Sequence, residues 1–127
     1  MKNYLWVITL LLICSCKNEK ILEGPFADVE IQNLELFMND NTSDLVVLDV
    51  RTPEEINDGK IISEATEIDF FSDSFDRLLG ELDKDKTYLV YCKSGGRSGK
   101  TVKKMQKMGF KQAHNLLGGY SSWSKKK

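Results

Sequence analysis

Thr87-Tyr88-Leu89-Val90-Tyr91-Cys92-Lys93-Ser94-Gly95-Gly96-Arg97-Ser98 is the stretch that decides the fold. Its first five residues are β-branched, aliphatic and aromatic with no charge, the mark of a short strand buried on both faces. Beyond it, Val102, Met105 and Met108 recur at a spacing of three, one apolar face of a helix. The thiol of Cys92 therefore stands at a strand-to-helix turn. Gly95 and Gly96 allow positive φ angles and a close backbone approach to a ligand. Successive amides in such a curl face inward and form an anion site, and the helix N-terminus adds partial positive charge. Lys93 and Arg97 contribute two full charges. A cysteine held there is expected to have a depressed pKa and to act as a nucleophile reachable from solvent.

Outward from this loop, strands and helices alternate. Upstream, Leu45-Val46-Val47-Leu48-Asp49-Val50 is a second continuous apolar run, read as a strand covered on both faces. Thr52, Pro53 and the pair Glu54-Glu55 then suit an N-cap, a first helical position and an acidic first turn. Ile31, Leu34, Phe37 and Met38 predict a first helix ending near Asn39-Asp40-Asn41. Phe71, Phe75, Leu78, Leu79 and Leu82 predict another, with Asp73 or Ser74 near its start. Short strands are expected around Phe26 to Glu30, Ala65 to Ile68 and Phe110 to Leu117. Gly109 closes the helix after the loop, Gly118-Gly119 turns the chain, and a final helical piece covers Tyr120 to Trp123. The pattern is that of an α/β domain: a small, mostly parallel five-stranded sheet with helices on both faces and its site at the carboxyl ends of strands.

The chain has 127 residues, enough for a single domain, and its net charge of −1 gives no footprint for a nucleic-acid partner. The N-terminus reads differently. Lys2 precedes the apolar run Leu5 to Ile13, shorter than the ~20 residues of a membrane span but suited to a signal-peptide core. Ile13-Cys14-Ser15-Cys16 resembles a bacterial lipobox, with an ordinary secretory signal as the alternative. That resemblance implies a signal peptide over 1–15 cleaved before Cys16, lipid on Cys16, a tether over 16–25 and a domain over 26–127. It also implies a lipid-anchored protein of the bacterial cell envelope. Of three cysteines, only Cys92 would then remain a free thiol in an exported protein, a liability unless its reactivity is used.

Four blocks together resemble a single-domain rhodanese: Leu48-Asp49-Val50-Arg51-Thr52-Pro53-Glu54-Glu55, Ala65 to Asp69, Cys92 to Ser98, and Asn115-Leu116-Leu117-Gly118-Gly119-Tyr120 with Trp123. The likeness spans about Asp28 to Trp123. One segment departs from it: Gly59-Lys60-Ile61-Ile62-Ser63-Glu64-Ala65 has lysine for the family's histidine, lacks a second glycine and is one residue longer. The resemblance implies a sulfurtransferase in which Cys92 takes sulfane sulfur from a small anionic donor such as thiosulfate. A thiol or cyanide-like acceptor then removes it, with neither metal nor cofactor.

Within that reading, Lys93, Ser94, Gly95, Gly96, Arg97 and Ser98 bind the donor, with Ser98 favoured as a helix cap. Asp49 braces the neighbouring loop, and Arg51 contacts either Asp49 or the substrate. His114 is expected to be structural or to lie at the surface, and Tyr120 and Trp123 are expected to pack. Two alternatives stay open. One is a sulfur carrier or partner-binding module that does not turn over. The other is a phosphatase or arsenate reductase of related fold, which needs a loop one residue longer than the four residues between Cys92 and Arg97.

Overall fold

A computed structural model describes residues 24–127. The expected leader, Cys16 and most of the tether lie outside the described residues. Four parallel strands form one sheet: β1 (Leu45–Asp49), β2 (Thr66–Glu67), β3 (Thr87–Tyr91) and β4 (Gln112–Asn115), in the order β2-β1-β3-β4. The helices are α1 (Leu34–Asp40), α2 (Pro53–Ile56), α3 (Phe75–Gly80), α4 (Gly96–Lys107) and α5 (Gly119–Lys125), with a 3-10 turn at Ile31–Asn33 leading into α1.

The central strand β3 is buried at every residue, and its side chains alternate between two cores. Tyr88, Val90 and Cys92 join Leu48, Val50, Phe75, Leu79, Val102, Met105 and Phe110 on the face covered by α3 and α4. Leu89 and Tyr91 join Val29, Leu34, Phe37, Val47 and Leu116 on the face covered by α1. In the register, Asp49 of β1 lies beside Tyr91 of β3, so the loops after these two strands leave the sheet at one edge.

The fifth strand is reduced to a single parallel bridge between Val29 and Leu116. Val29 donates to the Asn115 carbonyl at 2.8 Å, and Leu117 returns a bond to Val29. There is no room for more: a turn binds Ala27 to Gly24 on one side, and the 3-10 turn starts at Ile31 on the other. The helix over Phe75–Gly80 starts at the place expected from Asp73 or Ser74, with Ser74 at the cap position, but Phe71 does not share its apolar face. The Asp69 carboxylate accepts the Phe71 amide and Ser72 Oγ accepts the Ser74 amide, so local side-chain bonds hold this segment in turns. Phe70, not Phe71, packs on Phe75, with ring centroids 5.1 Å apart, and Phe71 is 67% exposed.

The segment Gly59–Ala65 is held by the lysine that sets it apart. Lys60 Nζ donates to the Ser63 carbonyl at 3.0 Å and pairs with the Glu67 carboxylate at 2.7 Å. His114 is buried in β4, edge-on to Phe37, with Nδ1 2.7 Å from the Ala27 carbonyl oxygen. Burial depresses its pKa, which keeps the ring neutral and structural.

Candidate active site

β3 delivers Cys92 to the sheet edge, and the chain then curls through Lys93, Ser94 and Gly95 into α4. Gly95 has φ +104°, a conformation that side chains resist, and it directs its amide at Cys92 Sγ from 3.1 Å. Ser98 Oγ stands 3.3 Å from the same sulfur. Burial pushes the thiol pKa up. Hydrogen bonds from the Ser98 hydroxyl and from the amides of Ser98, Gly95 and Ser94 outweigh burial and hold the pKa below its ordinary value.

Ser98 does not cap α4. The cap position is Gly95, with no side-chain bond, and Ser98 lies inside the first turn, fully buried. Its hydroxyl donates to Asn115 Oδ1 at 2.6 Å, and Asn115 Nδ2 donates to the Gly95 carbonyl at 3.3 Å. A hydroxyl carries one proton. While Ser98 donates to Asn115, the neutral thiol can donate to Ser98. Once the thiol ionises, the same proton turns to the sulfur. Ser98→Ala is therefore expected to raise the thiol pKa. The pH profile of iodoacetamide alkylation moves to higher pH, and alkylation at neutral pH slows by about tenfold, the size of one bond to a charged acceptor. An unmoved profile would rule out this role for Ser98.

The loop keeps its shape because α5 holds it from behind. Tyr120 N–H donates to the Cys92 carbonyl and Ser121 N–H to the Lys93 carbonyl, each at 2.9 Å. These are orphan donors of a helix start, spent on turning loop carbonyls away from the sulfur. Gly119, with φ +53°, makes the approach possible. By sequence alone, Gly118-Gly119 reads as a simple turn and Asn115 has no assigned role. Their sole signal was membership of a block that resembled the family.

Cys92 is 1% exposed, much less open than its sequence setting implied. The residue completes the buried face of β3, and its sulfur lies beneath the loop that leads into α4.

Each of the two arginines is held by a carboxylate. Arg51 is 1% exposed. Its Nε and Nη2 reach the Asp49 carboxylate at 3.0 and 2.8 Å, and Nη1 and Nη2 donate to the carbonyls of Glu55 and Gly59. Its guanidinium lies 4.2 Å from the Tyr120 ring centroid. Of the two roles open to Arg51, the structure shows contact with Asp49. Arg97 is forked onto Glu55, Nη1 to Oε2 at 2.8 Å and Nη2 to Oε1 at 2.7 Å. The hydrogen bonds from Arg97 hold the Glu55 carboxyl at about 2, well below the usual range. Lys93, Ser94 and Gly96 are exposed or partly exposed along the rim. Among the described residues, Lys93 joins no ion pair.

This geometry has counterparts. A profile of the rhodanese-like domain matches residues 31–126. A sulfurtransferase of Allochromatium vinosum is 31% identical over 85 residues, covering 67% of this chain and 77% of that protein. A thiosulfate sulfurtransferase of Coxiella burnetii is 28% identical over 94 residues, covering 74% and 85%. Among solved structures, a rhodanese-related protein of Thermoplasma volcanium superposes with a TM-score of 0.65 at 26% identity, covering 80% of this chain and 93% of that one.

Proposed function

Because the chain belongs to the rhodanese-like family, we propose that it is a sulfurtransferase that carries sulfane sulfur as a persulfide on Cys92, between a donor such as thiosulfate and a thiophilic acceptor. The observation that carries this reading is the sulfur of Cys92 among inward-facing amides and one hydroxyl, which hold its pKa below the ordinary value. The Cys92 thiolate attacks the outer sulfur of the donor. The donor's S–S bond breaks, and the electron pair leaves with sulfite when the donor is thiosulfate. The terminal sulfur now bears the negative charge, and the loop amides are placed to stabilise it. An acceptor thiolate or cyanide then attacks that terminal sulfur, the new S–S bond breaks, and Cys92 returns as thiolate.

The phosphatase reading has less support. That chemistry needs an arginine free to clasp the transferred group, and Arg97 is engaged by Glu55.

Purified protein incubated with a sulfane-sulfur donor is expected to gain the mass of one sulfur atom, lost again on adding cyanide. Cys92→Ser is expected to gain none. If the protein takes up sulfur but never passes it on, the carrier alternative replaces turnover. Hydrolysis of phosphate esters with no sulfur uptake would replace the reading altogether.

A further inference from the structure

The loop sequence places two cations beside the thiol, and the structure neutralises one of them. Arg97 meets Glu55 through a two-bond fork, the strongest geometry such a pair has. Glu55 is itself held from the other side. Its Oε2 accepts the Thr52 amide at 2.9 Å while its own amide donates to Thr52 Oγ1, a reciprocal cap at the start of α2. The same carboxylate thus serves Arg97 and the start of α2 at once. Asp69 adds a second negative charge felt by Arg97. Above the pair lies the exposed ring of Phe71, 5.4 Å from the guanidinium.

The charges near the thiol are thus Arg97 and Lys93 against Glu55, Asp69 and the Cys92 thiolate itself. The balance is slightly negative. Thiosulfate brings two negative charges to this site and leaves as a doubly charged sulfite. A thiol persulfide delivers the same sulfur with one charge or none at its reacting end.

We propose that Glu55 is a specificity-determining residue: by occupying Arg97 as an internal anion, it turns the site toward thiol persulfides and against dianionic thiosulfate. This rests on the sulfurtransferase reading and names the donor class within it. In the transfer, a bond forms between Cys92 Sγ and the outer sulfur of the persulfide, and the donor's S–S bond breaks. The departing thiolate takes the proton of the persulfide, leaving a persulfide anion on Cys92. The Cys92 sulfur is oxidised as the donor's inner sulfur is reduced, so no outside oxidant or reductant enters.

The test compares kcat/KM for cysteine persulfide and for thiosulfate in the wild type and in Glu55→Gln, at low and high salt. Glutamine keeps a carbonyl for the Thr52 amide, so α2 retains its cap. Wild type is expected to favour the persulfide by at least about tenfold. Its thiosulfate rate is expected to rise with salt, because screening relieves repulsion between like charges. Glu55→Gln is expected to raise thiosulfate kcat/KM by about tenfold, the scale of one charge removed near a surface site, with the persulfide value within about twofold of wild type. The proposal is overturned if wild type uses thiosulfate as well as the persulfide, or if the thiosulfate rate falls with salt. An unchanged donor ratio in Glu55→Gln overturns it too. The salt series needs no variant, so it decides even if Glu55→Gln fails to fold. If neither donor loads Cys92, the sulfurtransferase reading itself fails, a different outcome from a reversed preference.

Discussion

Gly119→Ala is expected to slow sulfur loading of Cys92 by about a hundredfold or more, the scale seen when a reacting group is misplaced by about 1 Å. A methyl group at this position would run into the Cys92 carbonyl oxygen and come within 2.9 Å of the Lys93 carbonyl carbon. Both obstacles are backbone, so no side-chain rotation relieves them. The positive φ of Gly119 adds strain of about 1 kcal/mol or more for any other residue. The loop must move off the start of α5, and the bonds from Tyr120 and Ser121 to the Cys92 and Lys93 carbonyls go with it. Freed carbonyls can then rotate toward the sulfur and oppose its negative charge. Total destabilisation of about 3 kcal/mol is expected, as for overpacked interiors, read by urea denaturation. Gly80→Ala is the matched control. It sits at the end of α3 with open space around the new methyl group, and it is expected to leave loading intact. If Gly119→Ala loads sulfur at the wild-type rate, α5 does not set the shape of the loop.

Asp49→Asn is expected to cost about 3–5 kcal/mol of folding stability, because it strands a buried guanidinium. Asp49 is wholly buried and accepts from the Arg51 amide as well as from Nε and Nη2. Asparagine nearly preserves the shape but not the charge. Arg51 would keep its bonds to the Glu55 and Gly59 carbonyls and its place against Tyr120. Those dipoles and rings are weaker partners than a carboxylate. The loss is read as a lower urea midpoint with an unchanged slope. The double variant Asp49→Ala/Arg51→Met is expected to lose less than the sum of its two single changes, since removing both charges leaves none unpaired. A loss below about 1 kcal/mol in Asp49→Asn would mean that water, not the carboxylate, already satisfies Arg51. Because Arg51 ties the loop after β1 to the turn at Gly59, sulfur transfer is expected to fall only as folded protein is lost.

The two apolar runs, Leu45 to Val50 and Thr87 to Tyr91, were readable as buried neighbours because a strand covered on both faces cannot alternate polar and apolar residues. They became β1 and β3 at the centre of the sheet. Helix α4 was readable from Val102 and Met105, both of which face the core, and from Gly109 with its positive φ beyond the helix end. The Thr52-Pro53-Glu54-Glu55 start of α2 was likewise written locally, down to the reciprocal cap. Where pattern competed with local bonding, pattern misled. Phe71 has helical spacing from Phe75 but lies in turns set by Asp69 and Ser72. The expected first strand had too few residues between a turn and a helix to pair at more than Val29.

At the site, the order of residues along the chain determined that a thiol, three nearby amides and a helix start would share one turn, since all lie within seven positions of each other. Everything decided by distant residues had to wait for the folded chain. Glu55 lies 42 positions before Arg97 and takes over its charge. Asn115 lies 17 positions after Ser98 and draws on its single proton. Gly119 and the amides beyond it fix the loop carbonyls from a helix that pattern alone marked only as packing. Local spacing dictates which groups are present and what secondary structure carries them. Which charges remain free, and which lone pairs face the sulfur, depends on pairs brought together only when the sheet assembles and water is excluded from its edge.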